Sequence, residues 1–424
     1  MHNFHYRDDK LFCEDLPLER IANEVGTPCY IYSLTTLQRH FRVFDSAFLG
    51  IDHLICFSVK SNSNIAILRL FASMGGGTDI VSSGELFRSL KAGVPPEKIV
   101  YSGVGKRDED IEYALRSNIL MFNVESMQEI EAINRIAGRL GKKAPIALRV
   151  NPDVDPMTHP YISTGLKENK FGLDIKDALS CYVKIASLPN ITIRGVDCHI
   201  GSQLTDVSPF IDALKKIRTL INALRKNGIE ISYLDLGGGL GITYFDEMPP
   251  DPEEYAAAVL EILRDLNLTL ILEPGRAIVG NAGILLAKVI YVKHSGSKRF
   301  VIIDAAMNDL IRPALYHSYH AIKPVIRRDA KSFIVDVVGP ICESSDFIAK
   351  ERSLPEVSQG DLLAIMSAGA YGFAMSSNYN SRVKACEVLV NGEQMHIIRE
   401  RESYEDLIKG ERIPDFIALG RETS

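Results

Sequence analysis

From about residue 50 the chain alternates two kinds of segment. Short apolar runs rich in β-branched and aromatic residues are separated by longer stretches whose apolar positions recur at helical spacing. The runs predict strands at 53–59 (HLICFSV), 77–81, 98–102, 119–123, 145–150, 193–199, 232–236 and 268–273. Helices are predicted between them at 64–74, 84–92, 108–117, 125–140, 175–188, 208–227 and 252–266. Ser83 ahead of GELFRSLKAG and Asp251-Pro252 ahead of EEYAAAVLEILRDL supply capping signals. Eight strands separated by helices over about 230 residues have the rhythm of a (β/α)8 barrel, a rhythm that a doubly wound sheet shares. The strand ends favour the barrel. At or just past them stand Lys60, Asp79, Ser102, Asn123, Arg149, His199, Asp235 and Glu273. In a barrel these groups converge on one mouth, the face on which sites of this architecture are built.

After residue 280 the helical segments drop out. GILLAKVIYVKHSG, KRFVIIDAA, KSFIVDVVGP, DLLAIMSAGAYG, RVKACEVLVNG and QMHIIRER follow one another as strands, which predicts a mostly antiparallel β domain. The first 35 residues, with PCYIYS at 28–33, are also β-rich and are expected to join it. The fold class is therefore α/β, with a barrel over 36–280 and a β domain formed by 1–35 plus 281–424.

Composition acts by exclusion. The 424 residues are 46% hydrophobic and 24% charged with a net charge of −6, which suits a soluble chain of more than one domain. No lysine/arginine run suggests nucleic acid. The most apolar stretch, AGILLAKVIYV, is short and interrupted by Lys288, so no membrane span is expected. The N-terminus lacks a basic segment followed by an apolar core, and a cytoplasmic location is the expectation. Seven cysteines without a C-x-x-C pair indicate neither a disulfide framework nor a zinc ribbon. His317 and His320 have helical spacing but no evident third ligand, so no metal is expected.

Lys60 ends an apolar strand in ICFSVKSNSN, where a lysine either reaches out to solvent or serves as a desolvated nucleophile. Three other motifs bear on the choice. DLGGGLG (235–241) offers close approach of backbone amides to an anion, EPGR (273–276) sets a carboxylate at a strand end, and HIGSQ (199–203) adds a flat imidazole and a hydroxyl. A lysine, an anion nest, a carboxylate and a planar ring together are what pyridoxal phosphate requires.

FSVKSNSN, HIGSQ, LDLGGGLG, EPGR, IRPALYHSYHAI, GPICESSD and GAYGFAMSSNYN resemble the fold-type III pyridoxal-phosphate-dependent decarboxylases, over roughly residues 20–415. The resemblance implies an alanine-racemase-like barrel followed by a β domain, pyridoxal 5'-phosphate as cofactor, and a homodimer with active sites shared at the subunit interface. The reaction it implies is decarboxylation of meso-2,6-diaminopimelate to L-lysine, the last step of lysine biosynthesis. In that resemblance Lys60 links covalently to the cofactor, His199 stacks on its ring and Glu273 pairs with the pyridine nitrogen. Ser202, Gly238, Gly239, Gly275 and Arg276 hold the phosphate, Tyr371 closes over it, and Asp79 and Pro274 complete the cofactor contacts. Arg276, Arg312, Tyr316 and Tyr371 would bind the substrate, whose far carboxylate the arginines suit, while Glu343 pairs with its distal ammonium. Cys342, from the partner subunit, would return a proton to the α-carbon. Ser61 stands where the family usually has alanine. Decarboxylation of a related basic amino acid or carboxynorspermidine, or a non-catalytic cofactor-binding homologue, are the other readings. Without a far carboxylate Arg312 would lack a partner, which weighs against ornithine or lysine as substrate. Cys342 and Glu343 weigh against a non-catalytic carrier.

Overall fold

Period-two alternation decides what each strand of the first half sends inward. In the computed structural model, which describes residues 2–154 and 170–417, eight parallel strands are β1 (His53–Ser58), β2 (Gly77–Ile80), β3 (Ile99–Tyr101), β4 (Met121–Val124), β5 (Ala144–Asn151), β6 (Ile191–Asp197), β7 (Tyr233–Asp235) and β8 (Thr269–Leu272). Each pairs with the next. β8 then returns to β1, with Leu270, Ile271 and Leu272 opposite His53, Leu54 and Ile55. The sheet is thus a closed barrel with no open edge.

Cys56, Val100, Met121, Ala147 and Ile271 come from five different strands and form one buried apolar cluster. Two residues further along the same chain segments stand Ser58, Ser102, Asn123, Arg149 and Glu273, all buried. One step of the alternation therefore converts an apolar plug into a polar layer beneath the mouth.

The seven expected helices form at Ile65–Ser73, Ser83–Ala92, Asp108–Ser117, Met127–Arg139, Ile175–Ile185, Ser208–Lys226 and Pro252–Leu263. Their apolar faces, such as Ile130, Ile133, Ile136 and Ala137, are buried in the main core. Asp251 caps its helix as expected, accepting from the Glu254 amide at 2.8 Å. The Ser83 cap is corrected: the helix begins at Ser83, and Ser82 Oγ accepts from the Glu85 amide at 3.2 Å. Ser83 instead donates its hydroxyl to Asp110 at 2.5 Å. A further helix, Leu34–Ala47, precedes β1. It is capped by Ser33 and buries Leu37, Phe41 and Phe44.

The second half is organised by one long strand, Gly283–Ser295, which pairs antiparallel with Lys298–Ile303, Leu362–Ile365 and Cys29–Ser33. Cys29–Ser33 also pairs, in parallel, with Cys386–Asn391. PCYIYS therefore does enter this sheet, but most of the preceding residues do not. Phe4–Arg7, Lys10–Cys13 and Leu16–Pro17 make a small antiparallel sheet of their own, and Leu18–Val25 is helical. No described helix is long and apolar enough to cross a membrane.

Candidate active site

A single turn of 3-10 helix, Val59–Ser61, follows β1 and carries Lys60 to the barrel mouth. Its Nζ lies 3.0 Å from Oδ2 of Asp79, a fully buried residue of β2. The same oxygen accepts from Ser58 Oγ at 2.8 Å. Burial opposes the ammonium charge, but the Asp79 and Glu273 carboxylates outweigh it and hold the amine above its ordinary pKa. The Lys60 side chain stays 35% exposed, so the amine is paired yet reachable from the cavity. Ser61 is buried and donates to the Ser58 carbonyl at 2.7 Å. Its hydroxyl is thus taken up by the turn that presents the lysine.

Glu273 stands one residue past β8. Asn123 Nδ2 lies between it and Asp235, 3.4 Å from Glu273 Oε1 and 2.9 Å from Asp235 Oδ2. Burial, and then the neighbouring Asp235, Asp79 and Asp197, push the Glu273 carboxyl well above the usual carboxylate range, against the opposing pull of Lys60. Burial likewise raises Asp235 to about 6. Asp197 is 1% exposed, and neither of its carboxylate oxygens has a hydrogen-bond partner. Arg149 Nε is 3.8 Å from it.

His199 lies two residues past β6, and its Nδ1 accepts from the Gly238 amide at 3.3 Å. Desolvation, with Arg149 and Lys60 adding to it, holds the ring well below its ordinary pKa. The imidazole is neutral, and in that form the proton sits on Nε2.

The glycines of LGGGLG are forced by close approach. A Cβ at Gly238 would lie 2.3 Å from the Glu273 carbonyl oxygen, and one at Gly239, where φ is +118°, 2.6 Å from that of Gly201. At Gly275 it would meet Ser61 Oγ at 2.9 Å. Beside these bare backbones Arg276 is only 6% exposed. It donates to Tyr244 Oη at 2.6 Å and Ser202 Oγ at 3.2 Å, and its Nε has no partner. A buried cation with a spare donor next to unshielded amides suits a phosphate dianion. Lys60, His199, Ser202, Gly238, Gly239, Glu273, Pro274, Gly275, Arg276 and Tyr371 all line this one cavity, and Asp79 is bonded to Lys60 beneath it. The residues present therefore fit pyridoxal phosphate.

Arg312 is no surface arginine: it is 5% exposed, its guanidinium lies 5.1 Å from the centre of the Tyr244 ring, and its Nη2 donates to Ser318 Oγ at 3.2 Å. Tyr316, half-buried, ends the same short helix, Arg312–Tyr316. Cys342 and Glu343 stand apart, exposed on a loop beyond the strand Ser332–Val338, and neither lines the cavity of its own chain. The Cys342 amide donates to Asn380 Oδ1 at 2.8 Å. The sequence reading omitted Ser58, Asp197 and Tyr244, and weighed His320 only as a metal ligand. Counting two residues onward from the inward apolar positions would have found Ser58. Tyr244 lies in a loop beyond β7, where no periodicity points to it.

Residues 34–280 match the family model for the pyridoxal-binding domain of pyridoxal-dependent decarboxylases. The chain is 54% identical to the diaminopimelate decarboxylase of Pseudomonas aeruginosa, covering 97% of this chain and 99% of that one. It is 54% identical to that of Haemophilus influenzae, covering 96% and 98%. Among solved structures, diaminopimelate decarboxylase from Helicobacter pylori complexed with L-lysine superimposes with a TM-score of 0.90 at 45% identity, covering 92% of this chain and 98% of that chain. The enzyme from M. jannaschii in co-complex with L-lysine gives 0.94 at 39%, covering 99% and 100%.

Proposed function

The chain belongs to the diaminopimelate decarboxylases, within the pyridoxal-dependent decarboxylases, and on that premise we propose which of its residues perform the reaction. The enzyme releases carbon dioxide from meso-2,6-diaminopimelate and leaves L-lysine. Pyridoxal 5'-phosphate, when bound, supplies the electron sink for the pair left behind as carbon dioxide departs. The observation that carries the residue assignment is the Lys60–Asp79 pair at the barrel mouth, lining one cavity with Glu273, His199 and the bare glycine backbones.

Lys60 Nζ would hold the cofactor covalently, and Asp79 fixes the amine and balances its charge. His199 presents a neutral flat face to the ring. Glu273 would pair with the pyridine nitrogen and keep the ring protonated, so that it can accept the electron pair. Ser202, the backbones of Gly238, Gly239 and Gly275, and Arg276 would hold the phosphate, with Tyr371 closing the site. Pro274 turns the chain between the carboxylate and that anion site.

Arg276 and Arg312, with Tyr316 and Tyr371, bind the carboxylate that survives the reaction. Glu343 pairs with the ammonium beside it, and Cys342 Sγ gives a proton to the α-carbon. The exposure of Cys342 and Glu343 on their own chain supports their service in the site of a second subunit, and so a homodimer. The barrel over 36–280 carries the cofactor, and the remaining residues carry that loop.

Borohydride reduction of the purified enzyme should fix the cofactor to one peptide containing Lys60, and Lys60→Ala should abolish release of carbon dioxide across a panel of amino acids. A labelled peptide lacking Lys60 would overturn the assignment.

A further inference from the structure

Arg276 and Arg312 are two buried guanidinium groups at the same place. Every hydrogen bond described for their side chains goes to a hydroxyl: Tyr244 and Ser202 for Arg276, Ser318 for Arg312. The Nε of each is without a partner among the described residues. Like charges in a poorly solvated site repel, and no carboxylate among the described residues pairs with either.

Both guanidinium groups lie against Tyr244, itself 9% exposed. Its phenol oxygen accepts from Arg276 Nη1 at 2.6 Å. Its ring centre lies 5.8 Å from the Arg276 guanidinium and 5.1 Å from that of Arg312. The ring offers the Arg312 cation a compensating attraction, and the phenol oxygen offers Arg276 an acceptor. The ring is fixed in turn by His320, packed edge-on at 5.3 Å and 78°. His320 is anchored by its Nδ1 to the Met366 carbonyl at 2.9 Å. Burial, with Arg312 adding to it, pushes His320 down to about 3, so it brings no third positive charge to the cluster.

We propose that Tyr244 is a positioning residue, whose hydroxyl and ring set Arg276 and Arg312 at the separation that lets both hold the substrate's surviving carboxylate. The inference rests on the carboxylate-binding role proposed above for the two arginines. It assigns to Tyr244 the discrimination between ligands that have this carboxylate and ligands that lack it.

The test compares two competitive inhibitors of the cofactor-loaded enzyme that differ only in that group, L-lysine and 1,5-diaminopentane. Tyr244→Phe keeps the ring and removes the acceptor, and Tyr244→Leu removes both. In Tyr244→Phe inhibition by L-lysine should weaken about tenfold or more, the scale of a hydrogen bond to a charged group. Inhibition by the diamine should move less than about twofold, because the amine end it shares with L-lysine does not depend on Tyr244. KM should rise more than kcat falls, and Tyr244→Leu should be worse in the same direction. Tyr244→Phe is the deciding variant if Tyr244→Leu fails to fold by circular dichroism. Parallel weakening of both inhibitors would overturn the proposal, since a merely structural tyrosine has no reason to tell them apart. Arg312→Ala serves as the control. If it removes the discrimination and Tyr244→Phe does not, the tyrosine's role falls and the arginines' stands. If Arg312→Ala leaves the discrimination intact, the carboxylate reading falls with it.

Discussion

Asp235 sits inside the barrel with no cation bonded to it among the described residues; it accepts from the Gly237 amide and from Asn123 Nδ2, both at 2.9 Å, and is hydrogen-bonded to Glu273. Burial lifts its carboxyl from 3.8 to about 6. The folded state therefore holds this proton more tightly than the unfolded chain does. That contribution to stability is complete below pH ~4 and is lost as pH rises through about 6, a change on the order of 3 kcal/mol. Asp235→Asn cannot ionise, so between pH 4 and 7 its denaturation midpoint, measured without cofactor, should fall less or rise more than that of the wild type. Parallel curves would refute the assignment. Glu273 shares the environment but has a chemical task. Glu273→Gln should retain cofactor while turnover drops by roughly a hundredfold or more, and near-normal turnover would remove it from the mechanism. Lys60 and Glu273 were legible in the sequence because each ends an apolar run. Asp197 was hidden, because it closes a strand as an ordinary polar residue and only the three-dimensional layer reveals a carboxylate buried near Arg149 with no hydrogen bond among the described residues.

At the scale of elements, the barrel was readable because its strands are short apolar runs bounded by turns, and its helices have both period and caps. Where those signals weaken, the reading failed. Phe347–Pro355 pairs with Ser332–Val338 but carries Lys350, Glu351 and Arg352, so its sequence looks like a loop. The Asp251 cap gives a direct check on the legible part. Asp251→Ala removes one acceptor at an exposed helix start and should cost about 1 kcal/mol in chemical denaturation, with kcat unaffected. The glycine turn predicts the opposite split. Gly238→Ala must push the backbone off the Glu273 carbonyl, since the added carbon would lie 2.3 Å from it. Cofactor retention on dialysis should suffer there, with far less change in the melting of cofactor-free protein.

For the whole molecule, the decisive residue pair is Lys60 and Cys342, one in the barrel cavity and the other exposed on a loop of the second half. If Cys342 serves the partner's site, Lys60→Ala and Cys342→Ala proteins, each inactive, should regain activity when mixed. With free exchange half of the dimers are mixed and each has one intact site, so recovery should approach about a quarter of wild type. Exchange proven by mass, with activity unchanged, would place both residues in one chain's site. The sequence already set the two apart, Lys60 in the barrel over 36–280 and Cys342 in the β domain after residue 281. The structure adds that Cys342 is exposed while the other six cysteines are buried.

The barrel closes where β8 meets β1, and Ser58 Oγ reaches the Glu273 carbonyl at 3.2 Å across 215 residues of chain. A ribosome adds about 5–20 residues per second, so at that pace β1 waits some 10–40 seconds for its last neighbour. Until then the nascent chain exposes the edge of β1 and has Lys60 with no Glu273 opposite it. The cofactor has no completed cradle to enter, because its anchor is among the first barrel residues made and the acid that faces it is among the last. Holo-enzyme formation is therefore a late event in synthesis, and the half-built barrel is the form of this chain that most depends on shelter from other open strands.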